Sequence, residues 1–273
     1  MPEGDTIFVT AATLRRALMG EAVTRFESLL TALTRVDADH RVAGRTVKAV
    51  TARGKHLLIA LSGDLTLRTH LRMNGSWHVY PPGARWHRPA RDRRIVIETR
   101  RAIAVAFNIQ DAEFLTGAEL ARHHRLQSLG PDPLATDFDP DEARRRMRAQ
   151  GSAPIADALL SQHVVAGVGN VFKSEVLFLA RVYPFASTAA IADAQLEGLV
   201  AIARKVMTAS VRIGRRTTRS SLNPNERLWV YGRGRKPCFR CGTSIVAKKT
   251  GDDARITYWC PCCQPALESP QQP

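Results

Sequence analysis

The stretch Cys238-Phe239-Arg240-Cys241, answered eighteen residues later by Cys260-Pro261-Cys262-Cys263, is the firmest point from which to read this sequence. All five cysteines of the chain lie in it. A disulfide framework would spread its cysteines out and use an even number; a tight, odd cluster points to metal. Zinc takes four ligands in a tetrahedron, and two Cys-x2-Cys knuckles supply that geometry from Cys238, Cys241, Cys260 and Cys263. Four thiolates leave no open position for water, so the expected Zn2+ is a single structural ion. Cys262 competes as a ligand, but using it would replace a two-residue knuckle by a one-residue one; it reads as a free thiol beside the site. The residues between the knuckles predict a β-hairpin turning at Thr250-Gly251-Asp252-Asp253.

Around this cluster the chain is strongly basic. From Ala201 to Ile256 there are 14 Lys or Arg and 3 acids, and the whole chain of 273 residues carries a formal charge of +15. Such an excess favours polyanionic partners, nucleic acid first. A hydrophobic share of 44% predicts a globular chain with room for two ordinary domains. No apolar run approaches the roughly 18 residues of a membrane span. Glu3 and Asp5 stand where a signal peptide would be basic and then apolar. The expected location is therefore the compartment of synthesis: a cytoplasmic protein held at the bacterial nucleoid by its substrate.

Towards the N-terminus the pattern is helix, then strands. Ile7, Ala11, Leu14 and Leu18 share one face of a helix over 7–19, with Asp5 or Thr6 as cap and Gly20 as stop. Strand-like runs follow over 46–51, 56–61, 65–71, 76–80, 94–99 and 103–107, the first two joined by Arg53-Gly54-Lys55. Short strands punctuated by turns predict a β-sandwich. Pro81–Arg93, with three Pro and four Arg, reads as an exposed basic loop. Beyond Ala118 helical patterns dominate, over 141–148, 155–162, 171–180 and 194–209, after a proline-rich linker over 129–140. The tail from Ser269 is expected to be disordered. The fold class is α+β, with domains expected over 1–125, 126–228 and 229–268.

Two further motifs carry chemistry. Gly167-Val168-Gly169-Asn170 lies between two helices, where Asn170 predicts an N-cap and the helix start an anion site. Met1-Pro2-Glu3-Gly4 opens the chain. Methionine before proline is normally cleaved, which leaves a secondary amine at the start of a helix. The positive end of that helix favours the uncharged amine, a nucleophile towards electrophilic carbon. Glu3 beside it can shuttle protons.

Together these stretches resemble the formamidopyrimidine-DNA glycosylase and endonuclease VIII family. The match includes Pro2-Glu3-Gly4, Arg53-Gly54-Lys55-His56, His70-Leu71-Arg72-Met73-Asn74-Gly75 and Leu129-Gly130-Pro131-Asp132. It continues with Val165-Ala166-Gly167-Val168-Gly169-Asn170, Val230-Tyr231-Gly232-Arg233, the four cysteines and Arg255. The resemblance implies an N-terminal β-sandwich with its opening helix, and a C-terminal helix-two-turn-helix domain with a zinc finger. DNA would bind in the cleft between them. It implies Pro2 as nucleophile at the sugar C1′, Glu3 as acid/base, and Lys55 on the phosphate next to the lesion. Asn170 and Arg255 would be phosphate ligands, and Met73 a wedge filling the gap left by the extruded base. The implied partner is double-stranded DNA carrying oxidised bases or abasic sites, bound by a monomer.

The family's purine branch carries an Arg-Arg-Phe-Gly loop. Here the corresponding stretch reads Phe107-Asn108-Ile109-Gln110-Asp111-Ala112-Glu113-Phe114. Thr218–Trp229 is also short for a lesion-capping loop. Both departures favour the endonuclease VIII branch and oxidised pyrimidines. A purine-type glycosylase is the nearest rival. A silent lesion-binding relative would have no need of Pro2, Glu3 and Lys55. A metal-dependent nuclease would need a carboxylate cluster, and no such motif is present.

Overall fold

The computed structural model describes residues 1–221, 223–250 and 255–266, and the chain divides into two compact units, 1–127 and 128–273. The expected hairpin turn at Gly251–Asp253 and the tail from Ser269 lie outside the described residues.

Unit 1 opens with α1 (Gly4–Leu18), then β1 (Val23–Ser28), α2 (Thr31–His40), β2 (Val47–Arg53), β3 (His56–Leu61), β4 (Leu65–His70) and β5 (Ser76–Tyr80). It closes with β6 (Arg93–Thr99), β7 (Ile103–Phe107), β8 (Asp111–Leu115), α3 (Gly117–Arg122) and α4 (His124–Gln127). The strands form two antiparallel four-stranded sheets, ordered β1-β6-β7-β5 and β2-β3-β4-β8. One apolar core joins them: Val50, Leu57, Ile59 and Leu67 from one sheet, and Phe26, Trp77, Ile95 and Ala104 from the other. The sandwich is as expected. α1 adds Ile7, Ala11, Leu14 and Leu18 to the same core, the face its apolar spacing marked out. Its start differs from the expectation. The helix begins at Gly4 behind Glu3, so Asp5 is not a cap but a first-turn acid, where a negative charge meets the helix dipole favourably.

The basic loop 81–92 is anchored by a second, smaller cluster on the other face of the β5–β7–β6 sheet. Tyr80, Val96, Val105 and Phe107 are buried there under Ala84 and Trp86 of the loop.

Unit 2 contains α5 (Pro140–Arg148), α6 (Ile155–Leu160), α7 (Asn170–Ala180), α8 (Asp193–Ile213), β9 (Val246–Thr250) and β10 (Arg255–Trp259), the last two paired antiparallel. Its helices share a core that includes Met147, Leu159, Phe172, Val176, Leu199 and Met207. α6 and α7 are joined by two turns. The Gln162 side chain closes them, donating to Val168 O at 2.9 Å and accepting from Gly167 N at 3.0 Å. Gly167 sits at φ +83°, where a side chain would be strained. The proline-rich stretch expected to be a linker is instead stitched into this unit at its start. Gly130 N donates to Gln162 O at 2.8 Å, and Ala166 N to Pro131 O at 3.0 Å.

That stitching predicts opposite effects for two alanine substitutions. A Cβ on Gly130 would meet Val164 O at 2.5 Å and His163 O at 2.6 Å, both backbone atoms. A Cβ on Gly198, inside α8, meets nothing within 4 Å. Gly130→Ala is expected to destabilise unit 2 by ~1–3 kcal/mol. Gly198→Ala should stabilise it by ~0.5–1 kcal/mol, because glycine costs a helix backbone entropy. Thermal midpoints from scanning calorimetry should move in opposite directions; a harmless Gly130→Ala would mean the contact is not tight.

Candidate nucleic-acid site and metal centre

In unit 1 the residues singled out from the sequence lie at strand ends and at the start of α1. Pro2 is half-buried immediately before α1, and Glu3 is fully buried, its carbonyl accepting the first helical hydrogen bond from Ile7 at 3.1 Å. Lys55 is half-exposed in the two-residue turn between Arg53 and His56, which pair across β2 and β3. Gly54 supplies the positive φ of +59° that the turn requires. Met73 is 64% exposed and takes no part in the core. It stands in the turn Leu71–Gly75, closed by a 2.8 Å bond from Gly75 N to Leu71 O. Gly75 passes so close to Ile109 that a Cβ would lie 3.1 Å from its side chain; the β4–β5 turn therefore packs on the β7–β8 connection, residues 108–110.

Behind these turns, the outer face of the β3–β4–β8 sheet carries a polar network that the sequence reading missed. His56, His70, Arg68, Asp111 and Glu113 share that face, because His56 pairs with His70, Arg68 with Glu113, and His70 with Asp111. Arg68 is only 3% exposed. Its guanidinium donates to Glu113 Oε1 and Asp111 Oδ1, both at 2.5 Å, and stands 2.9 Å from His56 Nδ1. Burial, helped by neighbouring cations, pushes the His56 pKa down to about 3. Burial is also the main cause that takes His70 down to about 4. Both imidazoles are neutral at pH 7, and the sheet face holds no surplus buried cation. A signal was available: Asp111 and Glu113 alternate with Ala112 and Phe114, and Arg68 and His70 stand two apart between Leu67 and Leu71.

In unit 2, Asn170 was expected to cap α7. Gly169 takes that place instead, with an extended backbone, and Asn170 is the first helical residue. Its side chain is thereby released to point sideways: Nδ2 donates to Ile256 O of β10 at 2.9 Å. Oδ1 is buried without a hydrogen-bond partner among the described residues. Arg255, half-exposed, is the neighbour of Ile256 at the start of β10, so Asn170 and Arg255 come together. One turn along the same face of α7, Lys173 is buried and donates to Thr257 Oγ1 at 2.8 Å. Glu175 faces another way. It is fully buried and accepts from the backbone N of Trp229, Val230 and Tyr231, each at 2.8 Å, and from Thr218 Oγ1. Burial pushes its carboxyl above the usual range, against the pull of these four donors. Sequence reasoning passed over Lys173 and Glu175. The clue was that Val171, Phe172, Val176, Leu177 and Phe178 make α7 apolar all round, so its charged residues must be buried with it.

The four predicted ligands converge. Sγ atoms of Cys238, Cys241, Cys260 and Cys263 all lie within 4.8 Å of one another. Three of the separations are 3.4 Å (Cys241–Cys260), 3.5 Å (Cys241–Cys263) and 4.0 Å (Cys238–Cys263). These are far too long for disulfides. A tetrahedron with metal–sulfur arms of about 2.3 Å has edges of about 3.8 Å, which the separations straddle. The residues present therefore fit a tetrahedral thiolate metal site. Cys262 is exposed and outside the group. The site packs on α7 through Phe178, Val230 and Ile245. Gln264 locks the last knuckle, accepting from Cys260 N at 3.1 Å and donating to Val182 O at 2.8 Å.

Comparison with known proteins bears on both units. A family model for the formamidopyrimidine-DNA glycosylase N-terminal domain matches residues 1–113, and one for the formamidopyrimidine-DNA glycosylase H2TH domain matches residues 129–221. A probable endonuclease 8 2 of Streptomyces coelicolor is 41% identical over 268 residues, spanning 97% of this chain and 94% of the relative. A DNA-(apurinic or apyrimidinic site) lyase of Mycolicibacterium smegmatis is 38% identical over 267 residues, 97% of this chain and 100% of its own. Relatives described as formamidopyrimidine-DNA glycosylase, such as that of Chloroflexus aurantiacus, are similar at 30% identity over 291 residues, 99% of this chain and 100% of the relative. The fold is that of a Lactococcus lactis Fpg solved in complex with DNA containing an abasic site, at a TM-score of 0.83 and 23% identity over 97% of this chain and 100% of that one. The sandwich with its proline-led helix, the two-turn helix pair and the cysteine cluster thus have one common origin, and the chain belongs to the formamidopyrimidine-DNA glycosylase family, in its endonuclease 8 branch.

Proposed function

We propose that this chain is a bifunctional DNA glycosylase and AP lyase of base excision repair, which removes oxidised pyrimidines and cuts the strand through an iminium at Pro2. The observation that carries the reading is the start of the chain: a proline whose amine, once Met1 is removed, stands at the positive end of α1 beside the buried Glu3. The helix end favours the uncharged amine. The amine attacks C1′ and the damaged base departs with its bonding pair; the nitrogen then gives up its proton, the C1′–O4′ bond opens with O4′ taking up a proton, and Pro2 is left joined to the opened sugar as an iminium. Because the amine is secondary, that iminium has no N–H left to lose and stays charged. The cation acidifies the C2′ proton, and its removal expels the 3′ phosphate; a second elimination can release the sugar. Glu3 acts as acid/base on the sugar.

Lys55, on its tight turn, serves the phosphate next to the lesion in this reading, and Asn170 with Arg255 serve as phosphate ligands of unit 2. Their pairing at the α7 start and the β10 start supports this, since phosphate contacts fix position while the base pocket gives choice. Met73, apolar, unbranched and exposed, suits a wedge. The metal is zinc, held by four thiolates that give it no catalytic opening and leave it to brace the hairpin carrying Arg255.

Two observations support pyrimidine lesions. Residues 108–110, which connect β7 to β8, are Asn, Ile and Gln and include neither the arginine nor the phenylalanine of the purine branch. The segment after α8 is drawn tight, with Thr218 N and Arg219 N both donating to Arg227 O, at 2.9 and 3.0 Å.

Borohydride added during reaction with an abasic-site duplex is expected to trap a stable protein–DNA adduct that peptide mapping assigns to Pro2. An N-terminal extension should abolish trapping and cleavage together. Normal cleavage by a blocked terminus would move the nucleophile elsewhere, Lys55 being the first alternative. With a panel of single-lesion duplexes, hydroxylated or ring-saturated pyrimidines should be excised faster than 8-oxoguanine opposite cytosine; the reverse order would assign the purine specificity instead. Elemental analysis should find one zinc per chain, unchanged in Cys262→Ser and lost in Cys260→Ser. Zinc lost from the Cys262 variant would mean that the ligand set is wrong.

A further inference from the structure

We propose that Asp111 and His70 are positioning residues that hold Arg72, and through it the Met73 tip, in a preset conformation for entry into duplex DNA. The inference rests on the reading of Met73 as a wedge and deepens it: it names what makes the wedge stiff.

Arg72 has a φ of +51°, the left-handed region that a non-glycine residue takes up at a cost unless its surroundings hold it there. Two contacts do so. Its backbone N donates to His70 Nδ1 at 3.1 Å, and its guanidinium Nη2 donates to Asp111 Oδ2 at 2.6 Å. His70 is buried enough to stay neutral, which keeps Nδ1 available as an acceptor. Partial burial works against ionisation of Asp111, but Arg68 and Arg72 hold its carboxyl below the usual carboxylate range.

The Arg72 side chain is 59% exposed, and an ion pair so exposed is normally of little consequence. Here one partner is fixed in advance. Asp111 Oδ1 is engaged at 2.5 Å by Arg68, which is itself held at 2.5 Å by Glu113 and at 2.9 Å by His56. Arg125 adds a third cation 3.6 Å from Asp111 Oδ2. The carboxylate therefore does not have to be ordered when Arg72 binds, and the rigidity of the sheet face reaches the tip. From the other side the tip is closed by the bond from Gly75 N to Leu71 O and by packing on Ile109. A wedge held in this way loses little freedom on insertion, so more of its contact energy remains for parting the strands.

The test compares cleavage of one abasic oligonucleotide as duplex and as single strand, since a wedge matters only where a second strand has to be parted. Arg72→Gly fits the left-handed backbone and removes the ion pair without touching the buried network. It should slow duplex cleavage about tenfold and leave single-strand cleavage within about twofold of wild type. Arg72→Lys should restore much of the loss. Asp111→Asn should behave as Arg72→Gly does; should it fail to fold, the Arg72 variants carry the test. Met73→Ala should show the same duplex defect, and Arg72→Gly added to it should cost nothing more, as expected for residues acting through one another. With 2-aminopurine opposite the abasic site, the fluorescence change on binding wild type should be lost in Arg72→Gly. Wild-type duplex cleavage by Arg72→Gly, or additive losses in the double variant, would overturn the inference while leaving the lyase reading intact. A wild-type protein that cleaves neither substrate would overturn both.

Discussion

A buried carboxylate, that of Glu175, organises unit 2. It lies in a helix with apolar neighbours on every side, out of reach of water, and a charge in that position is tolerated only if donors surround it. Three successive backbone N–H groups, from Trp229 to Tyr231, and the Thr218 hydroxyl supply them. Those donors belong to the chain on either side of the segment after α8, so the segment must close on α7. Its far end then delivers Val230 to the cluster that also buries Cys238 and Cys260. Two other polar residues of α7, Asn170 and Lys173, bind the opposite partner, β10. One helix therefore sets the loop, the cysteine cluster and the strand that bears Arg255.

Unit 1 follows the same rule with the opposite sign. Arg68 is the buried cation, and Asp111 and Glu113 are the strand residues that answer it. The strand β8 is short and rich in acid, a composition that disfavours strands. It forms because its two carboxylates meet Arg68 and because Phe114 reaches the core on the alternate face. In both units a charged side chain that cannot be left unpaired fixes the register of a neighbouring segment, and in both that segment adjoins residues to which the chemistry is assigned.

This explains what the sequence made legible. The sandwich, the two-turn helix pair and the cysteine ligand set were readable because each has a short-range signature: alternation at a period of two, apolar spacing along a helix, and paired Cys-x2-Cys. β1, α2 and β8 were not readable. α2 buries only Leu33, too little to mark a face, and β8 depends on an arginine some forty residues away. The start of α7 was misjudged for a related reason. Asparagine is a good cap in isolation, but a glycine directly before it can take the extended cap conformation, and β10 offers the asparagine side chain a carbonyl. Local preference gave way to a partner that only the folded chain provides.

The positive charge is likewise less uniform in use than in count. Along α5, the arginines 144, 145, 146 and 148 all meet acids, among them Glu142 and Asp193. Arg148 also bonds the carbonyls of Thr188 and Ile191, so it holds the chain before α8 in place. These charges are structural and add little to the field felt by a distant phosphate. The β9–β10 hairpin is different: Lys248 and Lys249 are exposed on β9, and Arg255 begins β10. A short basic hairpin has too small a core to hold its own register. The cysteine cluster at its base and the bond from Asn170 to Ile256 hold it instead. The cysteine cluster and the α7 start are therefore two supports of one cationic edge, and a metal held by the cysteines would have a structural use in a chain whose proposed chemistry needs none.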